Sequence, residues 1–128
     1  MQPDPISRIS RRLKAISDPS RIRILALLSL RPACVCELTR ALGLSQPAIS
    51  KHLKLLENEG FVLGRREKNW IVYSLSPGEE SCRQLLDIVL KRAREDQEMA
   101  ELSKLFMTLD RRQIMGLSHH LAPQGEEP

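Results

Sequence analysis

The apolar pattern of this chain leaves the helical period at Gly60 and resumes it only after Leu75, and that interruption limits the folds open to it. Before Gly60 the apolar residues recur every three or four positions. From Phe61 to Leu75 they form short strand-like runs, Phe61-Val62-Leu63 and Trp70-Ile71-Val72-Tyr73, around the polar stretch Arg65-Arg66-Glu67-Lys68-Asn69. A helical layer that ends in one basic-tipped hairpin follows, with room in 128 residues for one modest core.

Ile6, Ile9, Leu13 and Ile16 fall at helical spacing among arginines and predict an amphipathic first helix whose stripe needs a partner. Asp18-Pro19 opens a second helix with Ile22, Leu25 and Leu28 as its buried stripe, ending near Arg31-Pro32. A third helix spans about Val35 to Leu42 and stops at Gly43, and Ser45 caps a fourth that admits Pro47 in its first turn and buries Ile49, Leu53 and Leu56. Two short helices joined by a glycine-containing turn make a helix-turn-helix, and the hairpin behind it is a wing. Ser76-Pro77-Gly78-Glu79 predicts the start of a last helix of roughly 30 residues running through Leu109. Such a helix cannot bury its whole stripe on one small domain, so a homodimer joined through terminal helices is expected. The fold class is therefore mainly α with a small β-hairpin wing (α+β), a winged helix-turn-helix. Residues 1–109 form the DNA-binding and dimerisation domain, and 110–128 a C-terminal tail, disordered from about Ala122.

Charge fits a duplex-binding role. Residues 1–75 carry 13 Lys+Arg against 6 Asp+Glu, whereas residues 76–128 carry 7 against 10, so the positive charge is gathered on the helix-turn-helix half. No run of ~18 apolar residues and no basic-then-apolar start is present, and three cysteines are too few and odd for a disulfide framework. A cytoplasmic location without membrane contact is expected. The sequence carries no phosphate-cradling glycine loop, no metalloprotease motif and no cysteine in an electropositive loop, which argues against an enzyme.

In a helix-turn-helix the second helix enters the major groove. With Ile49, Leu53 and Leu56 inward, Gln46, Ser50, Lys51 and Lys54 fall outward, and Gln46 suits adenine while a lysine suits guanine or phosphate. Arg65, Arg66 and Lys68 at the wing suit phosphate or the minor groove. His52, beside Leu53, reads either as a half-buried histidine bonded to a neighbour or as a further DNA contact.

The segments LKAISDPSRIRILALL and CVCELTRALGLSQPAISKHLKLLENEGFVLGRREKNWIVYSL together resemble the ArsR/SmtB family of metal-responsive repressors over roughly Leu13 to Leu75. The resemblance implies dimers that sit on double-stranded operator DNA and leave it when an inducer binds. It implies DNA contacts from Gln46, Ser50, Lys51, His52, Arg65 and Arg66, and an inducer site at Cys34-Val35-Cys36, where relatives sensing arsenic, antimony, cadmium or lead carry a Cys-Val-Cys motif.

Thiolates suit As(III), Sb(III) or a soft divalent metal. Two residues apart on an ideal helix, however, side chains diverge by about 200°, so ligation at Cys34 and Cys36 is expected to reshape the helix start. The fuller family pattern has a third cysteine where this chain has Thr39, leaving Cys82 as the candidate third ligand. Asp87-Ile88-Val89 lacks the histidine of the family's other common metal site, and the adjacent pair His119-His120 reads as solvated. The same fold responding to thiol oxidation, to a persulfide or to an organic metabolite is the alternative.

Overall fold

Four helices begin on a side chain that accepts a backbone N–H otherwise left without a partner. Asp4 caps α1 (Pro5–Ala15), Asp18 caps α2 (Pro19–Leu28), Ser45 caps α4 (Gln46–Asn58) and Asp96 caps α6 (Gln97–Thr108). The remaining elements are β1 (Ala33–Cys34), α3 (Val35–Leu42), β2 (Val62–Glu67), β3 (Trp70–Leu75) and α5 (Glu80–Ala93). This is a computed structural model, and it describes residues 4–114. The pair His119-His120 and the tail from Ala122 lie outside the described residues.

The core is built by α2, α3, α4 and the base of the wing. Ile24, Leu25, Leu27, Leu38, Ile49, Leu53, Leu56 and Phe61 are all 0% exposed. The expected stripe of α2 is broader than its spacing suggested, because Ile24 to Leu28 are buried in succession while Ile22 is only half-buried. This helix lies in the middle of the domain, against α4, α5, α6 and β3, so its second half presents no solvent face to alternate with. It also ends at Leu28 rather than near Pro32.

Gly43 closes α3 in the left-handed region at φ 71°, a conformation that favours glycine, and the chain turns directly into the Ser45 cap of α4. The fold is a winged helix-turn-helix with a three-stranded antiparallel sheet in the order β1-β3-β2. The third strand, β1, was not expected: Ala33 pairs with Tyr73 and Cys34 with Val72. The wing loop is also shorter than the polar stretch suggested. Arg65 pairs with Val72 and Arg66 with Ile71 inside the ladder, leaving Lys68 and Asn69 as the tip.

Two expectations for the C-terminal half are corrected. The last helix does not start at Ser76-Pro77, because Ser76 donates its N–H to the Phe61 carbonyl and Gly78 to Gly60, which ties this segment to the wing base. Glu79 is the N-cap instead. The single helix of roughly 30 residues is in fact two, α5 and α6, separated at Arg94–Asp96. Asp96 accepts from Met99 N–H at 2.8 Å, a cap worth about 1 kcal/mol. Folding α6 back buries Met99 and Phe106, roughly 2 kcal/mol each, which outweighs the few helical hydrogen bonds lost at the break. The long unburied stripe that argued for a dimer is therefore absent. A different one remains: on α1, Ile6 is 79% and Leu13 48% exposed, and on α5 Ile88 is 64% exposed.

The wing is fixed to α4 at Gly64, whose N–H donates to the Glu57 carboxylate at 3.1 Å. A Cβ at this position would lie 2.7 Å from the Tyr73 ring. Gly64→Ala is expected to displace that ring and destabilise the chain by about 1–3 kcal/mol, measured by urea unfolding, with the loss concentrated in amide-exchange protection of β2 and β3.

Candidate functional site

One face of the molecule is built by α4 and the wing. Burial of Ile49, Leu53 and Leu56 at 0% turns Gln46, Ser50, Lys51 and Lys54 into solvent, as the spacing implied. Arg65, Arg66 and Lys68 are also exposed, but Arg65 and Arg66 are successive residues of β2 and so point to opposite sides of the ribbon. Lys68 occupies the turn with φ 57°, a left-handed conformation that costs a lysine about 1 kcal/mol. Among the described residues none of Lys51, Lys54, Arg65, Arg66 and Lys68 has an ion-pair partner, as is also true of Lys14, Arg21, Arg40, Lys91, Arg94 and Lys104, whereas Arg8, Arg11, Arg12, Arg23 and Arg31 all do. His52 is half-buried, with Nδ1 3.2 Å from Arg21.

The second cluster lies at the start of α3. Cys34 is both the last residue of β1 and the N-cap of α3, with extended backbone at φ −91°, ψ 170°. It is therefore not on the helix, and the divergence expected of two helical cysteines does not apply. The Cys36 thiol hydrogen-bonds to the Cys34 sulfur, which lowers the Cys34 pKa from the ordinary thiol range against the opposing effect of burial, with help from the Glu37 backbone N–H. The same hydrogen bond, together with burial and the facing negative groups, pushes Cys36 up. Cys34 is 0% exposed and Cys36 half-buried.

Glu37 was not singled out by sequence and is the centre of this cluster. Its side chain is 3% exposed, and its Oε1 accepts from Cys34 N–H at 2.9 Å. Arg31 meets Oε2 at 3.0 Å and Arg111 meets Oε1 at 3.7 Å. Arg31 also lies 4.0 Å over the Phe106 ring and donates to the carbonyls of Phe106 and Leu109, clasping the end of α6. Arg111 stands 5.8 Å over the ring of Trp70 at the start of β3. Thr39 Oγ1 is a buried hydroxyl with no hydrogen-bond partner. An open cavity of about 660 Å³ beside the cluster is lined by Arg31, Glu37, Lys68, Trp70, Leu109 and Arg111, among others.

Cys82 is not brought to this cluster. It is buried in the first turn of α5, where its thiol donates to the Glu59 carbonyl at 3.6 Å and lies against Gly60. Among the described residues no group of three or more His, Cys, Asp and Glu could hold a metal ion, so the described residues place no third ligand beside the two thiols.

A helix-turn-helix with a wing, an outward basic face on both and a pair of hydrogen-bonded thiols behind the reading unit define the class: a winged-helix DNA-binding transcriptional regulator. The chain belongs to the ArsR family. The model of the bacterial regulatory protein, arsR family, matches residues 18–63. An arsenic resistance transcriptional regulator of Pseudomonas putida is 42% identical over 80 residues, covering 61% of this chain and 70% of that protein. The arsenical resistance operon repressor of Escherichia coli K12 is 48% identical over 65 residues, covering 50% of this chain, and the chain spans 56% of that protein. A homodimeric winged helix-turn-helix domain from Mycobacterium bovis, a possible ArsR-family regulator, superposes with a TM-score of 0.61 at 27% identity, covering 76% of this chain and 92% of that one. The family is one of transcriptional regulators rather than enzymes. No helix among the described residues is long and apolar enough to cross a membrane.

The split within the thiol pair has a direct readout. In a Cys82→Ser background, titration of the ultraviolet thiolate band is expected to show one thiolate forming below the ordinary cysteine range and a second only well above it. In Cys36→Ala the first step should move up towards ordinary cysteine behaviour, because the donor to the Cys34 sulfur is removed.

Proposed function

We propose that this chain is a homodimeric repressor that reads operator DNA with α4 and the wing, and that leaves it when a thiophilic inducer binds Cys34 and Cys36. As(III) or Sb(III) is the preferred inducer. The DNA-binding role rests on one observation above the others, the gathering of five exposed cations on α4 and the wing of a helix-turn-helix. On this reading Gln46, Ser50, Lys51, His52 and Lys54 contact the major groove, while Arg65, Arg66 and Lys68 hold phosphates. The strained backbone of Lys68 supports a task at the wing tip, where a charge is kept at a position that suits glycine. The exposed apolar residues of α1 and α5, Ile6, Leu13 and Ile88, supply a face for a second copy, and the M. bovis relative is homodimeric.

For the inducer, the two sulfurs already lie within hydrogen-bond reach, and two curated relatives are arsenic-resistance regulators. With Thr39 in place of a third cysteine and Cys82 committed elsewhere, the metalloid's third position falls to solvent hydroxide or an exogenous thiol. Ligation has a physical route to the wing. Cys34 is wholly buried, paired to β3 and engaged in the α3 cap, so an inducer that takes its sulfur favours an arrangement in which that cap is open. Opening it disturbs Glu37 and the guanidinium of Arg111 that spans from Glu37 to Trp70.

The same hydrogen bond favours a second reading, oxidation of the pair to a Cys34–Cys36 disulfide. A peroxide takes the two thiol hydrogens and two electrons, and leaves as water or alcohol with water.

Operator binding measured against salt tests the DNA-binding part. Replacing Arg65 or Lys68 by alanine should lower affinity for all duplexes and reduce the salt slope by about one counterion per lost phosphate contact; unchanged slopes in both would remove the wing from the interface. Arsenite and peroxide titrations of the complex test the inducer. Cys34→Ser and Cys36→Ser should keep operator affinity and lose arsenite-driven release, and Cys82→Ser should release like the parent. Release by peroxide alone would favour the redox reading.

A further inference from the structure

Arg21, in the first turn of α2, joins three helices through one guanidinium. Its Nε donates to the Ala15 carbonyl at 2.6 Å and NH2 to the Lys14 carbonyl at 3.3 Å, both at the end of α1. Its NH1 meets Nδ1 of His52 on α4 at 3.2 Å. The Asp18 cap fixes the backbone of Arg21 from below, accepting its N–H at 3.1 Å. The two carbonyls fix the plane of the guanidinium, so the direction in which NH1 points is set by α1 and α2.

A guanidinium has donors and no acceptor. The histidine nitrogen facing it must therefore be the acceptor, and the neutral ring must carry its proton on Nε2. Among the described residues Nε2 has no partner. His52 sits half-buried between Lys51 and the buried Leu53, at the margin of the outward face of α4.

We infer that Arg21 is a positioning residue for DNA reading: it locks His52 in the Nε2–H tautomer, so that the reading helix offers a single, fixed hydrogen-bond donor there. The inference rests on α4 being the reading helix. A fixed donor accepts no partner that can only donate. It therefore selects phosphate oxygen or the acceptor edges of the major groove, such as guanine O6 and N7, adenine N7 or thymine O4, and disfavours the amino edge of cytosine. An unlocked ring could turn over or exchange tautomers and would read both kinds of edge. The arrangement also ties the reading helix to α1, the helix with the unpartnered apolar face, so the placement of this donor follows the placement of α1.

Long-range nitrogen–proton correlation on the full chain with labelled histidine, under mildly alkaline conditions, reads the tautomer without DNA. The His52 signals are assigned by their loss in His52→Gln. In the parent His52 is expected wholly as Nε2–H; in Arg21→Met, which keeps the stem and removes the donors, a mixture with Nδ1–H should appear. Protonated Nδ1 in the parent would overturn the inference, and beyond the assignment this reading needs only the parent chain. Operator binding supplies the second arm. His52→Ala should cost about tenfold in the parent, the scale of one hydrogen bond, and little further in the Arg21→Met background. An equal cost in both backgrounds would overturn the positioning role. If His52→Ala has no effect while Lys51→Ala and Lys54→Ala weaken binding, His52 is no contact and the inference fails with the reading helix intact. If none of the three variants weakens binding, α4 itself is not the reading helix.

Discussion

A carboxylate with a 3% exposed side chain has to be met by charge and hydrogen bonds, since leaving one partner out of such a group costs about 3–5 kcal/mol. Glu37 meets that demand by collecting groups from the whole length of the chain. Arg31 arrives from the α2–β1 connection, Arg111 from beyond α6, and the Cys34 N–H from the α3 cap. Each brings its own element with it. Arg31 clasps the end of α6 by ring and carbonyls, Arg111 covers Trp70 of the wing, and Cys34 carries β1 into the sheet. The start of α3, the return of α6 and the root of the wing are thus held by one buried pairing, and the two thiols lie within it.

This explains which parts of the fold were legible in the sequence. Caps and glycine stops are local, so α3 and α4 could be read from Gly43, Ser45 and the spacing of Ile49, Leu53 and Leu56. The break at Asp96 was local too. Asp96 with Glu98 in the first turn of α6 is a helix start, and it was overlooked because apolar residues on both sides kept helical spacing. By contrast, β1 is two residues long and exists only through its pairing with β3. No pattern within Ala33-Cys34 announces it. The stripe of α1 was legible as a stripe, but its exposure is a tertiary fact.

The candidate site divides in the same way. The outward residues of α4 follow from helical period alone and lie where that period puts them. The cysteines were misjudged because both were assigned to one helix; as N-cap and second helical residue they face one another. The wing arginines were placed at a tip that the ladder register moves to Lys68. Glu37 and Arg21 carried no sequence signal beyond their charge, since what distinguishes them is the set of partners contributed by distant segments.

Those partners also show how the reading helix is held. On one side Glu57 accepts the Gly64 N–H and joins the end of α4 to the wing; on the other Arg21 joins the middle of α4 to the end of α1. The thiol cluster adjoins the wing through Cys34 in the sheet and Arg111 over Trp70, and it adjoins α4 through α3, which packs on that helix. An inducer shifts an equilibrium only by its differential affinity for two arrangements, and here the difference is concrete, because a sulfur that is 0% exposed cannot be ligated where it rests. On the proposed reading opening of the α3 cap reaches the wing through β1 and Arg111 and reaches α4 through α3, whereas the link from α1 through Arg21 to His52 involves neither thiol.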